Sequence, residues 1–177
     1  LKEFVAEALQ VTDEETVLNE IMTLYGQDIL QLVYSYVKNH AVAEDLTQEI
    51  FVKCYRSLHT YEQKASLRTW LWRIAINHCK DYLRSWHYRK MQLTEMSFFS
   101  SKATTDTPED EMIQQDEDAT LSEAVLTLPL KYREVVYLFY FEERSIKEIE
   151  EMTGVKQGTI KTRLRRAKEL LKHQLEE

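Results

Sequence analysis

The stretch SIKEIEEMTGVKQGTIKTRLRRA, residues 145–167, decides how the rest of the chain is read. Ser145 with Glu148 three residues on is a capping box, in which each side chain pairs with the other's backbone N–H, so a helix opens there. Gly154 ends that helix, since glycine takes a left-handed conformation without a Cβ clash. Val155 plugs the turn into the core, and a second helix runs from about Gln157 to Leu175. Ile160, Leu164, Ala167 and Leu171 fall on its inner face. Gln157, Thr159, Lys161, Thr162, Arg165 and Arg166 fall outside, near its start. Cap, turn, inner stripe and cationic outer face together spell a helix-turn-helix whose second helix carries the groups that meet base edges and phosphates in a major groove.

Working back from this motif, Leu121 to Leu128 reads as a short amphipathic helix ended by Pro129. Val135 to Phe141 is apolar almost all round; by periodicity alone it could be a buried strand, but without partner strands in the chain it reads as the central helix of a small bundle. It is also the longest apolar run, far short of the ~20 residues that cross a bilayer, and no leader of basic then apolar residues opens the chain. These readings predict a cytoplasmic protein with no direct membrane insertion.

The N-terminal half reads as a second bundle. Thr12 and Glu15 form another capping box, followed by Val17, Ile21, Leu24 and Tyr25 at helical spacing. Ile29, Leu32, Val33, Tyr36 and Val37 continue the pattern to a turn at Lys38-Asn39. Gly26 either separates two packed helices or bends one. Ala43, Leu46, Ile50, Cys54 and Leu58 stripe the next helix, with Glu44, Asp45, Gln48 and Glu49 on its other side. Asp45 and Glu49, one turn apart with like charge, cost a lone helix a few tenths of a kcal/mol and are explained by a basic partner. Ser66 caps a further helix to about Trp86, with Leu67, Leu71, Ile74, Ala75 and His78 toward the core. Asn77, Lys80 and Arg84 form a separate face. Around them Tyr61, Trp70, Trp72, Tyr82, Trp86 and Tyr88 interleave with positive charge, the combination that grips single-stranded nucleic acid by stacking bases and neutralising phosphates. Trp70 or Trp72 also serves the core. His78 reads as a core histidine, and Asp81 as the partner of Arg84 or Arg73.

Charge divides the chain in the same way. A net −7 over 177 residues conceals +6 between Lys64 and Lys90, −8 between Glu95 and Glu123, and +6 between Lys156 and Lys172. The acidic stretch is rich in Ser and Thr and reads as a flexible linker between two basic modules. The fold class is therefore all-α, with two small helical domains. Only 3 glycines are present, too few and too scattered for a dinucleotide or Walker phosphate loop. Cys54 and Cys79 suit neither a disulfide framework nor a zinc site and read as reduced core thiols. With no cofactor, metal or small-molecule substrate indicated and no nucleophile–base set, the chain reads as a non-enzyme.

Two strings then bring a family into view. Ala43-Glu44-Asp45-Leu46-Thr47-Gln48-Glu49-Ile50-Phe51, and Arg68-Thr69-Trp70-Leu71-Trp72-Arg73-Ile74-Ala75-Ile76-Asn77 with Asp81 and Arg84, resemble domain two of the extracytoplasmic-function sigma factors. Leu128-Pro129, Tyr132-Arg133-Glu134-Val135, Lys147-Glu148-Ile149 and Gly158 to Ala167 resemble domain four of the same family, in the right order. The chain departs from the family pattern at Glu150, usually a small residue, and at Lys156-Gln157 ahead of Gly158.

The resemblance implies a dissociable subunit of bacterial RNA polymerase that directs promoter recognition, melting and transcription initiation at a stress- or envelope-related regulon. Domain two would span 12–90, the acidic linker 91–119, and domain four, with its helix-turn-helix, 120–177. Asp45, Gln48 and Glu49 would dock on the β′ clamp helices of core polymerase. Tyr61 to Ser66, including Lys64, would capture an unstacked base of the −10 element, with Arg68, Asn77, Lys80 and Arg84 holding the opened strand. Unstacking costs a few kcal/mol per step, recovered in pockets that accept flipped bases. Gln157, Thr159, Lys161, Thr162, Arg165 and Arg166 would face the −35 major groove while the apolar central helix meets the β flap. The acidic linker would lie in the RNA exit path. An anti-sigma factor would hold the chain inactive, in some cases at the membrane. The competing reading is a stand-alone helix-turn-helix regulator, which leaves Asp45, Gln48, Glu49 and the aromatic, cationic helix without a role.

Overall fold

The computed structural model describes residues 13–96 and 117–176, and among these every regular element is helical. Helix α1 spans Glu14–Val37 without interruption, so Gly26 lies inside one helix. Asp13 stands at its N-cap with no side-chain cap bond; Thr12, and with it the expected capping box, lies outside the described residues. Val17, Ile21, Ile29, Leu32, Val33 and Tyr36 are buried, whereas Leu24, expected inside, is 45% exposed. Lys38 ends the helix in the left-handed region, at φ 55°. Asn39 then caps α2, His40–Ser57, by accepting from the Val42 N–H at 3.0 Å. The α2 stripe of Ala43, Leu46, Ile50 and Cys54 is buried against α1 and α3, as its spacing requires.

A 3₁₀ turn, Leu58–Thr60, and a loop lead to α3, Leu67–Met96. Ser66 caps α3, its hydroxyl accepting from the Thr69 N–H at 3.1 Å. The helix runs ten residues beyond the expected end at Trp86, into the stretch read as linker, because nothing in the segment is a helix breaker. Leu71, Trp72, Ala75, Ile76 and Cys79 fill the core between α1 and α2; Trp70 is half-buried. Burial pushes the Cys54 and Cys79 thiols up to about 12, so both stay protonated.

The C-terminal half begins with α4, Glu117–Thr127, and α5, Leu130–Val136. The apolar run does not continue as the expected buried α-helix. From Tyr137 to Phe141 the chain widens into a π turn, in which the Glu142 N–H reaches back five residues to the Tyr137 carbonyl at 3.0 Å. Leu138 stays buried, but Tyr140 and Phe141 emerge, 51% and 50% exposed. Helices α6, Ile146–Thr153, and α7, Gln157–Leu175, follow. The Ser145/Glu148 box is fully formed, Gly154 turns the chain at φ 73°, and Ile160, Leu164 and Ala167 are buried.

The two halves pack together. Helix α3 lies against α6, and α1 meets α5. At their junction Arg133 is 5% exposed, and its guanidinium donates to Ser35 O at 2.6 Å, Tyr36 O at 3.2 Å, Leu126 O at 3.1 Å and Leu128 O at 2.8 Å. The carbonyls that end a helix have no partner within it. One side chain thus caps the C-terminal ends of α1, in the first half, and α4, in the second. The negative end of each helix dipole favours the cation.

Candidate nucleic-acid interface

Helix α7 displays its outer face without interruption. Gln157, Thr159, Lys161, Thr162, Arg165 and Arg166 are all exposed, on the side opposite Ile160, Leu164 and Ala167. This follows from 3.6 residues per turn on a helix anchored by three buried residues. Neighbouring carboxylates hold some of these groups in place. Glu169 accepts from Arg165 at 3.3 Å and Arg166 at 2.9 Å, which raises the Arg166 pKa and lowers that of Glu169. Glu150 accepts from the Gln157 amide at 2.7 Å. The residue that departs from the family pattern therefore pins the first turn of α7 to α6.

The first half offers a second surface on α3 and the loop before it. Asn77 and Arg84 are exposed, Arg84 pairing with Asp81 at 3.3 Å. Trp86 is 44% exposed, with the Lys90 ammonium 4.8 Å from its ring centroid. In the loop, the Tyr61 hydroxyl donates to Ala65 O at 2.8 Å and its ring lies 5.3 Å from that of Trp70. Partial burial and nearby Tyr25 raise the Tyr61 pKa. Lys64 pairs with Glu62 at the exposed tip, and Gln63 adopts φ 58°. Ser66 is engaged in capping α3.

Arg68 and Lys80 stand apart from that open surface, because the second half covers them. The Lys80 ammonium sits 2.7 Å from Glu134, whose side chain is 3% exposed and also accepts from the Tyr36 hydroxyl at 2.5 Å. Burial and the Glu134 charge drive the Tyr36 phenol well above its ordinary pKa. Arg68 pairs with Glu142 at 2.6 Å and Asp28 at 3.3 Å, its guanidinium 4.3 Å over the Trp72 ring. Sequence reading missed Arg133, Glu134 and Glu142. Arg133 and Glu134 stood in the family string and Glu142 beside an apolar run, but neither signal names partners 54 to 98 residues away.

On α2, Asp45, Gln48 and Glu49 lie on one exposed face. Glu49 reaches across to His78 Nε2 at 2.6 Å, so the core histidine of the sequence reading pairs at its rim with a carboxylate of that face. A cavity of about 640 Å³ opens between the halves, lined among others by Gln31, Tyr34, His40, Tyr137, Phe141 and Arg144. Among the described residues no His, Cys, Asp and Glu side chains cluster as metal ligands, and no helix is long and apolar enough to cross a membrane.

Both halves match known families. Residues 21–88 match Sigma-70 region 2 and residues 119–171 match Sigma-70 region 4. The chain is 34% identical over 163 residues to the ECF RNA polymerase sigma factor SigW of Bacillus subtilis, covering 88% of this chain and 87% of that protein. It is 33% identical over 154 residues to the sigma factor SigV of the same organism, covering 87% and 88%. Among solved structures, the sigma factor RpoE from Bartonella quintana, in complex with the anti-sigma factor NepR, overlays with a TM-score of 0.69 at 25% identity over 89% of this chain and 96% of that one.

Proposed function

The chain belongs to the extracytoplasmic-function sigma factors of the sigma-70 family, and from that premise we propose how its two halves divide the work of starting transcription. As a sigma factor it joins core RNA polymerase and directs it to promoter DNA. Residues 12–90 act as domain two, 91–119 as the linker and 120–177 as domain four.

Asp45, Gln48 and Glu49 dock on the basic β′ clamp helices. Tyr61, Lys64 and Ser66 form the loop that receives an unstacked −10 base, while Arg68, Asn77, Lys80 and Arg84 hold the opened strand by its phosphates and stacked bases. Gln157, Thr159, Lys161, Thr162, Arg165 and Arg166 read the −35 element, and the exposed Tyr140 and Phe141 face the β flap. An anti-sigma factor that covers both halves keeps the protein in the cytoplasm or at the membrane, and its release switches on a stress- or envelope-related regulon.

The observation that carries this reading is the pairing, in one chain, of an open six-residue cationic and polar face on α7 with a separate aromatic and cationic surface on α3. A stand-alone regulator needs only the first. Run-off transcription with purified core polymerase on genomic fragments tests it. Transcripts are expected only when the chain is added, and double charge reversal at Asp45 and Glu49 is expected to abolish them. Tight, sequence-specific binding to duplex DNA without polymerase, together with no transcript, would establish the regulator instead.

A further inference from the structure

The side chains on the outer face of α7 differ in what they can distinguish. Lys161, Arg165 and Arg166 only donate hydrogen bonds, whereas the amide of Gln157 both donates and accepts. A free glutamine can turn its amide over, exchanging nitrogen for oxygen, and so suits a donor or an acceptor equally. In this chain the amide is held. Its Nε2 donates to Glu150 Oε2 at 2.7 Å, from the first residue of α7 back to α6.

The partner decides which way round the amide stands. A carboxylate has no hydrogen to give, so the nitrogen faces Glu150 and the oxygen faces away. Turning the amide over would set Oε1 against a negative charge, and a bond with one charged member is stronger than a neutral one. The support is itself fixed. Glu150 follows the fully buried Ile149 and is half-buried, and the Gly154 N–H, in the left-handed turn, donates to Glu150 O at 2.8 Å.

With one N–H committed, Gln157 keeps its carbonyl oxygen and a single N–H for DNA. In the major groove adenine and cytosine present an amino group where guanine and thymine present a carbonyl oxygen. The Gln157 oxygen accepts from an amino group, and its remaining N–H suits adenine N7. Against guanine O6 or thymine O4 the same amide brings oxygen to oxygen.

We infer that Glu150, which lies outside the proposed −35 face, sets base preference at one position of that element by holding Gln157 as an acceptor, so that an amino base is taken there and a keto base refused. The inference rests on the −35 assignment just proposed. Glu150 is a positioning residue: it acts on the base through Gln157, and what it changes is the identity of the base selected more than the strength of binding.

The test uses holoenzyme and a duplex library randomised across the upstream element of a promoter found by run-off transcription, with bound and unbound fractions sequenced. The unaltered chain is expected to favour amino over keto bases by about 5-fold or more at the position concerned, the lower end for a good base contact. Glu150→Ala is expected to remove the preference at that one position while the others keep theirs. Gln157→Ala is expected to do the same, and because Gln157 is exposed this second variant does not disturb the fold.

An amino preference that survives at every position in either variant overturns the inference. So does an unaltered chain that selects upstream bases but nowhere amino over keto, an outcome that leaves the −35 assignment standing. A library recovered with no upstream selection at all overturns the −35 assignment, and the inference with it.

Discussion

Helices α3 and α7 carry similar positive charge, yet α7 presents Lys161, Arg165 and Arg166 to solvent and pairs Arg163 with Glu134 of its own half at 3.9 Å, while α3 has Lys80 and Arg68 taken up by the opposite half. The difference lies in how each surface is made. The α7 face is complete within one local motif, a capped helix, a left-handed glycine and a helix with three buried anchors. The α3 face depends on what packs over it, and buried carboxylates from α5 and the end of the π turn do so. A surface set by local periodicity is always displayed. One set by tertiary contact can be hidden or shown, and is where regulation enters most easily.

The comparison can be broken first at the joint. Replacing Arg133 with Met keeps the apolar bulk but leaves the carbonyls of Ser35, Tyr36, Leu126 and Leu128 without their charged donor. Bonds to charged groups contribute about 1.5–3 kcal/mol each, so a loss of about 3 kcal/mol or more is expected in urea unfolding. Loss confined to the second half would show that the cap on α1 contributes nothing.

The α7 face is tested by Arg165→Ala. A cost of about 1–3 kcal/mol in holoenzyme binding to promoter duplex is expected if the guanidinium reads a base, with chain stability unchanged. An equal loss on every upstream sequence would make it a phosphate contact.

Locality itself is tested by the caps. Ser145→Ala and Ser66→Ala should each cost about 1 kcal/mol of stability. The first should leave oligonucleotide binding by the α3 surface unchanged, and the second should weaken it, because Ser66 also ends the loop proposed to receive the −10 base. A shared effect on both surfaces would contradict the distinction drawn between them. Smallest is the response of the thiols: Cys54 and Cys79, held near 12 by burial, should not react with a thiol reagent at mildly alkaline pH until the chain unfolds. Rapid reaction of Cys79 in the folded chain would mean that α3 opens locally.

What could be read in the sequence follows the same division. The Ser145 box, Gly154, the α2 stripe and the inner residues of α7 are short-range patterns, and each stands where its spacing placed it. The end of α3 was not legible, because its apolar stripe fades near Trp86 while the residues beyond remain good helix formers, so pattern and propensity part company. Leu24 fits the stripe of α1 yet faces out, since that helix has partners on only part of its circumference. The roles of Arg133, Glu134 and Glu142 could not be read at all: each depends on a residue in the other half, and a single sequence records no such pairing.

The π turn at Tyr137–Phe141 has a consequence for the geometry of everything after it. A π turn holds one residue more than an α-helical turn, and each residue of an α-helix advances the chain by about 100°. Removing a single residue there would regularise the backbone, swing Tyr140 and Phe141 toward the interior, and re-aim α6 and α7 as a unit. A deletion that leaves every side chain of the proposed −35 face in place would still point that face the wrong way.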